Sequence, residues 1–116
     1  YEIASCLVGS EMCIRDRALD YVIIEADGAK HHSLKYPAAD EPVIYPLTTD
    51  VIIVLGTWEK GKLCKDVVFR YELMQNELGM AEDVVVDDSV IDTLRQVYVK
   101  KLRDSGFEGR ISTYYR

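Results

Sequence analysis

The 116-residue chain is poor in cysteine, proline and glycine, with three, three and seven respectively. Two of the cysteines, Cys6 and Cys13, fall in an N-terminal segment of different character from the rest. Cys64 then stands alone, which excludes an internal disulfide or a cysteine-based zinc framework and makes a reduced, cytoplasmic setting the default. No apolar run is long enough to cross a bilayer, so no membrane partner is expected. Basic charge is also short: 14 Lys and Arg stand against 20 Asp and Glu, a formal net charge of −6. A general nucleic-acid binder needs a basic face, so that class is excluded. The phosphate-cradling pattern Gly-x-x-x-x-Gly-Lys-Ser/Thr is missing, and no other glycine-rich stretch replaces it. There is no internal repeat and no low-complexity tract.

Residues 1–17 back-translate, in one frame, onto the end sequences of a transposon-based sequencing library, most clearly over Glu11 to Arg17. They lack the basic start and unbroken apolar core of a signal peptide. The expectation is therefore a non-native segment over 1–17 and a partial domain over 18–116. The segment has a net charge of −1 (Glu2, Glu11 and Asp16 against Arg15 and Arg17), so the remainder keeps −5.

The most informative stretch is residues 20–30. Tyr21-Val22-Ile23-Ile24 is a continuous, β-branched apolar run without alternation. A strand buried on both faces of a parallel sheet reads this way. The run stops at Glu25-Ala26-Asp27-Gly28-Ala29-Lys30. Carboxylates two residues apart project to one side of an extended chain. Ligands bind at the carboxyl ends of strands in open α/β sheets. Asp27 is thus a candidate Mg²⁺ ligand, directly or through water. Glu25 is a candidate catalytic residue that orients or deprotonates an attacking water. Lys30, Lys35 and Arg70 are candidate contacts to a nucleotide's phosphates. The competing reading makes the two acids caps of a helix N-terminus and the lysines solvated charges.

His31 to Asp50 carries Pro37, Pro42 and Pro46, which exclude a helix there. Within it, Glu41 is expected to anchor the loop by accepting backbone hydrogen bonds, and His31 and His32 to be solvated. Val51 to Leu55, closed by Gly56, reads as a second strand buried on both faces, next to or near the first. Trp58 is expected to pack under the following loop. Asp66 reads as a helix cap, with Val67, Tyr71, Met74 and Leu78 along one helical face and Gly79 at its end. Val84 to Val86 reads as a short strand or a docking turn. Ser89 and Asp92 are spaced as a capping box. Val90, Ile91, Leu94, Val97, Tyr98 and Leu102 form the apolar stripe of a helix that Gly106 ends. Ile111 to Tyr115 reads as a last strand. Cys64 reads as a buried small hydrophobe rather than a selenium or sulfur carrier.

Strands alternating with helices imply an α/β domain with a mostly parallel sheet. The expected fold is a fragment of a P-loop NTPase-like domain that lacks the N-terminal phosphate-loop strand and helix.

Three linked stretches carry a family resemblance: Glu25-Ala26-Asp27-Gly28-Ala29-Lys30, then Ser33-Leu34-Lys35-Tyr36-Pro37-Ala38, then Glu41-Pro42-Val43-Ile44. Together they resemble the signature of the YqeC family, selenium-dependent hydroxylase accessory proteins also described as selenium cofactor biosynthesis proteins. Thr49-Asp50 and Gly61-Lys62-Leu63 continue the similarity, which covers residues 20–78 well. The family is similar to P-loop nucleoside triphosphatases. The resemblance implies a cytoplasmic maturation factor that handles a purine nucleoside triphosphate with Mg²⁺. It implies a selenium-dependent molybdenum hydroxylase or a selenium donor as partner. The alternative is a non-hydrolytic docking protein for the hydroxylase or its molybdenum cofactor. One departure is visible: the family's usual His-Arg pair is replaced here by Phe69-Arg70.

Overall fold

A computed structural model describes residues 3–7 and 21–116. Six strands and three α-helices follow in order: β1 (Ile3–Leu7), β2 (Tyr21–Glu25), β3 (Leu34–Lys35), β4 (Asp50–Leu55), α1 (Cys64–Val67), β5 (Val68–Phe69), α2 (Tyr71–Leu78), α3 (Asp88–Asp104) and β6 (Arg110–Tyr115). A 3₁₀ turn covers Thr57–Glu59. Of the segment 1–17, only Ile3–Leu7 lies among the described residues.

The α/β class is as expected, but the strands do not join into one sheet. They form three separate parallel pairs: β1 with β2, β3 with β5, and β4 with β6. β4 and β6 align over their whole length, Asp50 with Arg110 through Leu55 with Tyr115. β2 and β4 are not hydrogen-bonded to each other. Instead, both line a cavity of about 1570 Å³.

The continuous apolar runs do not mean two buried faces here. Along β4, Ile53 and Leu55 are buried while Ile52 is 64% and Val54 52% exposed. Val22 and Ile23 of β2 are also exposed. The reason is layering: α3 packs against one side of β4, and among the described residues nothing covers the other.

α3 starts where the apolar stripe predicts, but its cap is two residues earlier than the capping box implies. Asp87 is extended and its side chain accepts a 2.9 Å hydrogen bond from the Val90 amide. Asp92 instead accepts from Arg95 and Gln96 within the helix. Val90, Ile91, Leu94 and Leu102 are buried against a core that includes Leu34, Ile53, Leu55, Cys64 and Met74. Gly106 follows the helix with φ +95°, a left-handed turn suited to glycine.

The region 64–78 is not one helix capped by Asp66. α1 ends after four residues, with Asp66 inside it. Val68-Phe69 then extends to pair with Leu34-Lys35 of β3. Arg70 turns left-handed at φ 65°, and α2 begins. Gly79 closes α2 at φ 67°, as expected. Val84–Val86 is a docking segment: Val85 bridges to Leu63 and Val86 is buried. Trp58 is half exposed rather than packed under its loop, with the Arg116 guanidinium 5.3 Å from its ring centre.

Candidate functional site

The site is built where β2 ends and β3 begins. Gly28 to Ser33 leads from one to the other, and the loop after β3 folds back, with Val43 N–H donating to Ala26 O at 3.4 Å. Pairing of β3 with β5 fixes Lys35 beside Phe69. α3 closes the inner side with Tyr98 and Lys101.

Lys35 is the centre of this arrangement and only 5% exposed. Its ammonium donates to Asp27 Oδ1, to Gly28 O at 2.7 Å and to Glu41 Oε2 at 2.7 Å. A lysine has three donors, and all three are engaged. A buried ammonium is tolerated only with such pairing. The second oxygen of Asp27 accepts from the Tyr98 hydroxyl at 2.6 Å. Glu41 anchors its loop as expected, accepting from the Ala38 amide at 3.0 Å. Lys101 holds the same loop from α3 by donating to Ala38 O and, at 3.2 Å, to Glu41 O. The Glu41–Pro42 peptide is cis.

The two acids respond oppositely to this environment. Burial raises the Asp27 carboxyl above its ordinary value, and the hydrogen bonds from Lys35 and Tyr98 only partly offset it. Burial also pushes Glu41 upward, but Lys35 and the Ala38 amide outweigh it and hold that carboxyl at about 2. Tyr98 is raised, by burial first and by its bond to Asp27 second. Cys64 is fully buried and its thiol is raised, chiefly by burial, which suits a core residue and not a reactive carrier.

The predicted site residues therefore divide. Asp27 and Lys35 are brought together, but as an ion pair. Glu25, at the end of β2, is exposed and takes no part in the Lys35 cluster. Lys30 and Arg70 do converge, around the ring of Phe69. The Lys30 ammonium is 5.7 Å, the Lys35 ammonium 5.5 Å and the Arg70 guanidinium 5.0 Å from its centre. His32 stacks on the same ring at 5.5 Å. Glu41, Tyr98, Lys101 and Phe69 complete the site and were not singled out as ligand-facing. Glu41 alone carried a signal, as the acid expected to anchor the proline-bearing loop.

Mg²⁺ takes hard oxygen ligands and keeps several waters. The donor set as arranged does not fit a bound metal, because the Lys35 ammonium fills the position between Asp27 and Glu41 that a cation would take. Among the described residues no group of three or more His, Cys, Asp or Glu side chains is placed to hold one.

A sequence model of the family described as YqeC protein matches residues 9–72. The chain belongs to the YqeC family. The match takes in the acid-bearing end of β2, Lys35, Glu41 and Arg70, and stops before α3. In this YqeC chain, the matched stretch therefore relies on an unmatched helix for Tyr98 and Lys101. No curated protein and no solved structure matches the chain. Among the described residues no helix is long and apolar enough to cross a membrane.

Proposed function

We propose that the chain is part of a P-loop NTPase-like domain in a nucleotide-handling accessory factor. Its task in this reading is selenium cofactor biosynthesis, or maturation of selenium-dependent molybdenum hydroxylases, in the cytoplasm. The observation that carries the reading is Asp27. It lies just past the carboxyl end of β2, is only 12% exposed, and lines the 1570 Å³ cavity between β2 and β4. An α/β sheet binds ligands at such an edge. The cavity also separates two parallel pairs whose lining strands, β2 and β4, carry bare apolar side chains, as expected if a further covering layer of an α/β domain packs on them.

In this reading the cofactors are Mg²⁺ and a purine nucleoside triphosphate. Glu25, exposed beside the cavity, orients an attacking water. Lys30 and Arg70 meet phosphate oxygens as cations. Lys35 must leave its two acids before Asp27 can serve a metal. The implied partner is a molybdenum hydroxylase or a selenium donor.

The closed Lys35 cluster favours a second reading. If Asp27 and Glu41 are structural, the protein docks a hydroxylase or its molybdenum cofactor without hydrolysis. Nucleotide binding and turnover by the product of the intact gene separate the two. Asp27→Ala and Glu25→Gln are expected to abolish Mg²⁺-dependent turnover; unchanged turnover in both overturns the first reading. The 116-residue chain alone is expected to show none, since phosphate cradling supplies most of such catalysis.

A further inference from the structure

The three cations around Phe69 are not equivalent. Lys35 is neutralised by Asp27 and Glu41. Arg70 is only partly compensated: its Nε lies 3.7 Å from Glu41 Oε1, beyond hydrogen-bond reach. That Nε is buried and has no hydrogen-bond partner among the described residues. Lys30 is exposed, and its ammonium has no acidic partner among the described residues. His32 adds an exposed ring whose Nδ1 is 3.2 Å from the Ala29 and Lys30 carbonyl oxygens.

The backbone singles out the same place. Among the described residues the non-glycine positions with positive φ are Lys30 at 48°, His31 at 68° and Arg70 at 65°. Left-handed backbone is unfavourable for such residues and persists where the surroundings impose it, often at ligand sites. Two of the three are the cations aimed at one ring. Like charges brought together repel, and a single aromatic ring compensates them weakly. Asp27 and Glu41 answer Lys35, and Glu41 reaches Arg70 only at 3.7 Å, so the positive charge of Lys30 and most of that of Arg70 is left uncompensated among the described residues.

We infer that Lys30, His32 and Arg70, gathered on Phe69, form a binding site for a single phosphate group that needs no metal. Its size decides the ligand class. One point of positive charge on a chain of net −6 suits one tetrahedral oxyanion and not the extended backbone of a nucleic acid. Arg70 presents a guanidinium fork, and Lys30 a mobile point charge. The site uses the two cations that the proposed nucleotide reading assigns to phosphate, and so deepens that reading, but it calls on neither Asp27 nor Mg²⁺.

The test is a titration of the 116-residue chain with inorganic phosphate, and separately with a nucleoside triphosphate, both without Mg²⁺, followed by amide and side-chain NMR. Saturable shifts are expected at Lys30, His32, Phe69 and Arg70. Lys30→Gln and Arg70→Gln are each expected to weaken phosphate binding about tenfold, as loss of one charge-assisted contact does. Arg70→Lys, which keeps the charge and loses the fork, is expected to recover only part of the loss, whereas a purely structural guanidinium would leave phosphate affinity tracking stability alone. If phosphate alone shifts these residues, the ligand is free phosphate or a simple monoester. If only the triphosphate does, the phosphate group is part of a nucleotide. Absence of saturable shifts with either probe overturns the site, as does unchanged affinity in both glutamine variants. Phosphate binding without any nucleotide turnover in the intact gene product would sink the hydrolytic function and leave this site standing.

Discussion

Tyr98 donates a 2.6 Å hydrogen bond to Asp27, 71 positions earlier in the chain. The bond ties the middle of α3 to an acid in the first stretch of the family signature. Tyr98→Phe keeps the ring and removes the donor, leaving one carboxylate oxygen of Asp27 poorly solvated. A loss of about 1–3 kcal/mol is expected in urea unfolding. Carboxyl NMR should show the Asp27 pKa, already raised, moving higher still.

Lys35→Met tests whether the buried ammonium is structural. Removing one partner of a buried cluster costs about 3–5 kcal/mol, because the remaining charges are uncompensated. Here Asp27 and Glu41 would face each other without a cation. The loss, measured by urea unfolding at neutral pH, should shrink near pH 4 as the acids take up protons.

Glu41 sets an acid limb in stability. In the folded chain its carboxyl is held at about 2, below its ordinary value of 4.5. Its contribution is fully present above pH 4.5 and is lost as pH falls from there toward 2. Asp27 runs the other way: its raised pKa favours the protonated form in the folded chain, so its contribution to stability weakens as pH rises. Unfolding followed against pH should show the Glu41 limb, and Glu41→Gln should flatten it.

Gly56 is required by closeness and not by its dihedral angle, since its φ is −84°. A Cβ there would lie 2.4 Å from Ser33 Cβ, while the Gly56 amide bonds to Ser33 O at 3.1 Å. Gly56→Ala is expected to cost about 1–3 kcal/mol through overpacking. Adding Ser33→Gly should recover part of it in thermal melts, a coupling that distant sites would not show.

The bare face of β4 makes the fifth test. Ile52→Thr with Val54→Thr should change stability by no more than about 0.5 kcal/mol. Sedimentation should show less self-association, because an exposed apolar patch is lost. Ile53→Ala, one position away on the buried face, should cost about 2–5 kcal/mol.

Much of this architecture is readable in the chain. The apolar runs mark β2 and β4, and the stripe from Val90 to Leu102 marks α3 together with the faces it buries. Local pattern failed at 64–78, where Val67, Tyr71, Met74 and Leu78 keep helical spacing through a two-residue strand. That strand exists because β3 pairs with it, a contact no local window contains. Lys35 misleads for a related reason. A lysine is ordinarily solvated, and only two acids and a carbonyl from other parts of the chain make its burial possible. Tyr98 sits in the stripe like any core residue, and nothing in its spacing announces a hydroxyl aimed at Asp27.

The position of α3 has a consequence for how this family is cut into pieces. A stretch trimmed to residues 9–72 would keep every signature residue yet lose the clasp that Tyr98 and Lys101 fasten from downstream. Homology draws its border at the end of what is shared, whereas the signature is held shut by what lies beyond it.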